Sequence, residues 1–311
     1  MAPWLLGLDR LTSSAGGNGA VDDRLLSLPD GRSLGYREFG DPHGTPVIAL
    51  HGTPGSRLKY SGSHEAAAQS GLRLIALDRW GYGLSSDWRG RQIARYADDV
   101  TALVNSLGIG RFQITGVSGG GPFAVATAAA LGDRVTALAL VSPVGLIAGP
   151  DGFAKLSPFH SLCFRILPRV PGALFAVFHA QRFGLAVAPK LAMSIAVLRS
   201  SEADRQAMRK PQIRAQMTQT FASGLQPGVA GAVCDMALFG RPWGFDFSGV
   251  RAATRIWIGD CDRNVPMTAV RALSAALPGC ELIEIPGAGH LWVAEHAHAV
   301  MDWLAERAAI P

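Results

Sequence analysis

Ser118 stands in the stretch Gly116-Val117-Ser118-Gly119-Gly120-Gly121-Pro122, followed by alanine-rich sequence to Ala130 without a charged residue. A serine among glycines is ordinarily a turn residue. Here an apolar run of strand size, Phe112 to Val117, precedes it, and a helical pattern begins at Phe123. That context puts Ser118 on a sharp strand-to-helix bend of the G-x-S-x-G kind, with its hydroxyl exposed to a substrate. Gly116 and Gly120 let neighbouring backbone pass close to the bend, and Pro122 suits a first helical turn, where an amide hydrogen would have no intrahelical acceptor.

A serine hydroxyl is a weak nucleophile until a base accepts its proton, and the base in turn needs a carboxylate to orient it. Of eight histidines, only His290 sits in a glycine-rich loop directly after a strand pattern (CELIEIPGAGHLW). His296 and His298 fall in the pattern of the last helix, and His43, His64, His160 and His179 have no comparable setting. Two acids end a strand pattern in TRIWIGDCDRNVP, Asp260 and Asp262. The order Ser, Asp, His along the chain is the one expected of a strand-turn-helix nucleophile. Negative charge developing on a substrate oxygen needs two fixed amides. Gly119 N–H follows the nucleophile at a helix start, and Thr53 N–H in LHGTPGS is the second donor, since Pro54 has none to give.

These loops require strands to carry them. Val47–Leu50, Leu72–Leu77, Phe112–Val117, Val135–Val141 and Thr254–Ile258 are brief apolar runs, as expected of parallel strands buried on both faces. Before them, two alternating runs flank Pro29-Asp30-Gly31, which predicts a hairpin. Ile93, Tyr96, Val100, Leu103 and Leu107 share one helical face, as do Val293, Ala297, Val300 and Leu304. Alternating strand and helix predicts a doubly wound α/β sheet. About a hundred residues between Ser142 and Thr254 break the alternation, too many for a loop. Their helical spacing and scattered prolines predict a helical cap.

Composition narrows the function classes. Lys and Arg outnumber Asp and Glu by 29 to 24 without a clustered run, so no nucleic-acid partner is expected. The basic segment Arg199–Arg214 also holds Glu202 and Asp204 and reads as a solvated helix face. Cys163, Cys234, Cys261 and Cys280 lie far apart with no CxxC spacing, which predicts reduced thiols, a cytoplasmic setting and no metal site. No run approaches the roughly 20 apolar residues of a membrane span.

The motifs HGTPGS, DRWGYGLS (Asp78–Ser85), GVSGGGP, GDCDRNVP (Gly259–Pro266) and GAGH (Gly287–His290) together resemble the α/β-hydrolase superfamily over nearly the whole chain from Val21. The resemblance implies a mostly parallel sheet with helices on both faces, organised as a flexible tail (1–20), a core (21–143 and 248–311) and a cap (144–247). It implies Ser118, Asp262 and His290 as catalytic triad, Asp262 being the fourth residue of the family's G-x-x-D-x-x-x-P pattern, with Thr53 and Gly119 as oxyanion hole. No cofactor is implied. Relatives with Asp at the elbow are set aside by Ser118, the G-x-S-W-G peptidases by Gly119, and the HGGG branch by HGTP. What remains is hydrolysis of a small lipophilic ester or lactone, with thioesterase, acyltransferase or C–C hydrolase chemistry, or a ligand-binding role with little turnover, as alternatives. The lipophilic expectation rests on Phe153, Phe159, Phe164, Leu167, Leu174, Phe175 and Phe178 in the cap, of which packing between cap helices accounts for at least half.

Overall fold

Gly31, at φ +84°, closes the turn of the expected hairpin. It joins the first two of eight strands: β1 (Asp23–Ser27), β2 (Ser33–Gly40), β3 (Thr45–Leu50), β4 (Leu72–Leu77), β5 (Phe112–Val117), β6 (Val135–Val141), β7 (Ala253–Gly259) and β8 (Glu281–Ile285). The computed structural model describes residues 22–88, 90–148, 150–154 and 156–308, so the tail expected over 1–20 lies outside the described residues.

The strands form one sheet in the order β1-β2-β4-β3-β5-β6-β7-β8. β1 and β2 run antiparallel to their neighbours, and the other pairs are parallel. Strands β3 to β6 sit in the middle, and their apolar runs reflect burial on both faces, whereas the edge strands β1 and β8 are largely exposed. Alternate residues feed two different cores. Ile48, Leu50, Ile75 and Leu77 pack beneath helices α2 (Tyr96–Ser106) and α3 (Gly121–Leu131), while Val47, Ala49, Leu74 and Ala76 pack with α1 (His64–Gln69) and α12 (Ala297–Ala308). Helices therefore cover both faces.

Between β6 and β7 the chain makes α4 (Pro150–Ala154), α5 (Pro158–Ser161), α6 (Ala173–Val187), α7 (Pro189–Ala196), α8 (Glu202–Ala207), α9 (Pro211–Gly224) and α10 (Ala230–Phe239), with α11 (Met267–Ala276) following β7. The α5–α10 region is the helical cap. It has a core of its own in which Leu174, Phe178, Met193, Ile213 and Met217 meet Tyr82 from below. Helix α9 lies on the 3₁₀ turn Arg57–Ser63, where Gln216 Nε2 donates to the Lys59 carbonyl at 2.7 Å. No single helix among the described residues is long and apolar enough to cross a membrane.

Candidate active site

At the end of β5 the backbone turns through Ser118 at φ +52°, a left-handed conformation in a residue with a Cβ. Such a conformation costs on the order of 1 kcal/mol and holds only where its surroundings enforce it. They do so by crowding. A Cβ on Gly116 would lie 2.8 Å from the Gly120 carbonyl oxygen, and one on Gly120 would run into the Leu50 carbonyl. Strand β3, the elbow and α3 thus pack backbone to backbone, and Val144 N–H donates to the Ser118 carbonyl at 3.0 Å.

His290 and Asp262 come from loops following β8 and β7 respectively. His290 Nδ1 is 2.7 Å from Asp262 Oδ2, and the carboxylate is almost fully buried. Its other oxygen accepts the Asn264 and Val265 amides at 2.8 and 3.2 Å. Burial works against the Asp262 charge, but the His290 imidazole and those amides outweigh it and hold the carboxyl below its usual range. For His290 burial also opposes the charged form, as does Lys59. The Asp262 carboxylate, helped by Asp204, prevails and raises the imidazole above 6.5. Asp260, the other acid of the loop, is exposed and accepts the Gly287 amide at 2.8 Å instead.

Thr53 and Gly119 approach each other closely. A Cβ on Gly119 would overlap Thr53 Oγ1 and lie 3.0 Å from Phe239. Gly119 is in the first helical turn, where amides have no intrahelical acceptor, and Thr53 N–H donates to no other group among the described residues. The Thr53 side chain is fixed from the cap: its hydroxyl donates to Asp235 Oδ2 at 2.6 Å, as does Tyr82. Arg79, 1% exposed, pairs with both Asp235 oxygens at 2.9 and 2.8 Å and donates to the His51 and Gly52 carbonyls. Buried His51, lowered well below 6.5 by burial and the Arg79 charge, completes the cluster by accepting the Arg79 amide.

A cavity of about 760 Å³ lies between these loops and the cap. Thr53, Ser118, Gly119 and His290 line its floor, and Phe159, Phe164 and Leu167 its roof. Leu174 and Phe178 instead pack inside the cap, and Phe175 is exposed. No hydrogen bond joins Ser118 Oγ to His290 Nε2 among the described residues, although both groups face the same cavity. Among those residues no group of three His, Cys, Asp or Glu side chains is placed to share a metal ion.

Three polar residues of the site escaped sequence reasoning. Lys59 lines the cavity, and burial lowers its amine to about 8. Asp235 holds the Thr53 loop. Asp204, expected on a solvated face, is 1% exposed and accepts the Leu291 amide at 2.7 Å, next to His290. That correction has a plain cause, since α8 docks on the His290 loop with Asp204 inward, while Glu202 stays exposed. Ser201-x-x-Asp204 carries the signal of a helix cap, and the Ser201 hydroxyl indeed donates to Asp204 at 2.8 Å.

A nearly parallel sheet, a strained serine at its central elbow and a paired histidine and aspartate at two neighbouring strand ends define an α/β protein of hydrolase architecture. Residues 45–297 match the family model of the alpha/beta hydrolase fold, and the chain belongs to that family. It is 34% identical over 138 residues to a bifunctional esterase/perhydrolase of Acinetobacter calcoaceticus, covering 42% of this chain and 50% of that protein. The chain spans half or less of the length of the first relatives it matches in sequence. Among solved structures it is similar to epoxide hydrolase A of Mycobacterium thermoresistibile, with TM-score 0.71 at 19% identity over 93% of this chain and 98% of that one. The enol-lactonase of Burkholderia xenovorans LB400 is similar too, with TM-score 0.66 at 22% identity over 92% and 99%.

Proposed function

We propose that the protein is a serine hydrolase that cleaves small lipophilic carboxylic esters or lactones through an acyl-enzyme. The observation that carries this reading is the 2.7 Å pair between Asp262 and His290, opening on the cavity wall that also holds Ser118. With Nδ1–H donated to the carboxylate, Nε2 is the basic nitrogen. His290 then takes the Ser118 proton as Oγ attacks the carbonyl carbon, and returns it to the leaving alcohol. Water activated by the same nitrogen releases the acid. A bond between nucleophile and base is often long before substrate arrives and tightens with it in place. The Thr53 and Gly119 amides would receive the oxyanion, each donor contributing about 3 kcal/mol to the transition state. An apolar roof favours a lipophilic acyl or alcohol group, and the esterase/perhydrolase relative is consistent with ester chemistry.

The test is a panel of esters, thioesters and lactones, with a fluorophosphonate as an active-serine probe. Wild type should be labelled and should hydrolyse short lipophilic esters, and Ser118→Ala should remain folded, escape labelling and lose about 10⁴-fold or more in kcat. Labelling that survives Ser118→Ala, or equal turnover by that variant, refutes the assignment.

A further inference from the structure

The exposed large hydrophobic side chains are concentrated on one part of the molecule. Of thirteen among the described residues, ten lie between Leu162 and Leu198. Phe183 and Val187 on α6, Leu191 and Ile195 on α7, and Leu198 just beyond are each 59–68% exposed. The two helices adjoin at Gly184 and Ala192. Leu162, Val177, Leu191 and Ile195 are exposed and also line the cavity, so the apolar surface continues into the candidate site. Patches of this kind mark a contact with another body rather than with water. The segments Pro158–Arg169 and Ala173–Val187 together have the length and apolar character of a membrane helix but are bent by 111°, a shape that suits lying in an interface and not crossing it.

Charge identifies the body. From Asp151 to Glu202 the chain carries Lys155, Arg165, Arg169, Arg182, Lys190 and Arg199 and no acidic residue between. That surplus exceeds the net +5 of the whole chain, so the rest of the protein is close to neutral. Arg165, Arg169, Arg182, Lys190 and Arg199 are all exposed around the apolar side chains. Arg165 and Arg169 lie over the Phe153 ring, and Arg199 over Phe159, which leaves their charge without a carboxylate from the same segment. A second copy joined face to face would set this cationic segment against itself. An anionic bilayer meets both requirements, taking the apolar side chains into its acyl layer and the guanidinium groups among its phosphates.

We propose that α6 and α7 dock the cap on an anionic phospholipid surface, with the apolar rim of the cavity facing the bilayer. Docking does not depend on the hydrolase reading, and its test uses no turnover. Flotation of the full chain with vesicles of phosphatidylcholine and phosphatidylglycerol is compared with pure phosphatidylcholine vesicles. The protein should float with the mixed vesicles and bind at least about tenfold more weakly to the neutral ones, or to the mixed ones in about 1 M salt. Phe183→Asp with Leu198→Asp should weaken binding about tenfold or more, and so should Arg182→Glu with Lys190→Glu, both with unchanged circular dichroism and thermal unfolding. Failure of wild type to float with mixed vesicles overturns the proposal, as does equal binding to neutral ones or binding indifferent to both variants. A dimer in sedimentation velocity that Phe183→Asp with Leu198→Asp dissociates, without vesicle binding by wild type, assigns the face to a second copy instead.

Discussion

In the proposed mechanism His290 acts as a base only when neutral, so the carboxylate that orients it also sets the pH at which it would work. Asp262 and Asp204 together hold the imidazole above 6.5 despite its burial. Activity should therefore rise with pH through a value above that of a free histidine, read from the acid limb of kcat/KM. Lys59 opposes the charged imidazole, so Lys59→Met should move that limb to still higher pH. Stability follows the same charges. Asp262 is lowered from 3.8, and its contribution is present above that pH and lost as pH falls through the folded value. His290 is raised from 6.5, and its contribution is full below that pH and lost as pH rises through the folded value. The pair is thus worth most between about pH 4 and 6.5. His290→Gln should accordingly lower Tm more at pH 5 than at pH 9, measured by thermal melts. Ser118, His290 and the acids Asp260 and Asp262 were legible in the sequence as candidates because each sits in a glycine-bearing turn after an apolar run, and only the family resemblance favoured Asp262 over Asp260. Lys59 and Asp235 were not, because nothing within a few residues of either tells which way the side chain will face once α9 and α10 lie over the sheet.

At the scale of elements, the proposed oxyanion site is a meeting of two turns, one after β3 and one after β5, and its dimensions are set by the absence of a side chain at Gly119. A methyl there would overlap Thr53 Oγ1 and lie 3.0 Å from the Phe239 ring, and neither His290 nor Asp262 is among its nearest neighbours. Gly119→Ala should therefore push the two amides apart and lower kcat by about 10²- to 10³-fold with little change in KM, shown by steady-state kinetics on a good ester. Fluorophosphonate labelling should slow but persist, because the proposed nucleophile Ser118 and base His290 remain. The inner strands β3 to β7 were readable to within a residue or two, since burial on both faces writes a nearly unbroken apolar run, whereas the exposed edge strands β1 and β8 were not given bounds. The expected helix over Ile93–Leu107 begins as a 3₁₀ turn and becomes α2 at Tyr96. The cap was readable only as helical. Its α6 has an apolar residue on nearly every side, so periodicity alone could not separate Leu174 and Phe178, which pack inward, from Phe175 and Phe183, which face out.

For the whole molecule, the question is how a cap with its own core stays registered over the sheet. Apolar packing alone would allow sliding, whereas hydrogen bonds fix position. Three of the site's four loops are each met by a hydrogen-bonding cap side chain: Asp235 at the Thr53 loop, Asp204 at the His290 loop, and His160 at the Asp262 loop through the Arg263 carbonyl at 3.1 Å. Asp235 carries the largest share, because it is also the only carboxylate paired with buried Arg79 among the described residues. A buried ion pair need not be more stable than an apolar pair of the same volume, but breaking one half leaves an uncompensated charge. Asp235→Ala should thus destabilise the fold by about 3–5 kcal/mol in urea unfolding. Combining it with Arg79→Met removes the orphaned guanidinium and should recover a large part of that loss. Activity should separate the two roles of the carboxylate. The double variant regains stability but lacks the acceptor that fixes Thr53 Oγ1, so its kcat should stay low. Recovery of kcat together with stability would show that Asp235 matters to the oxyanion loop only through the folding of the cap.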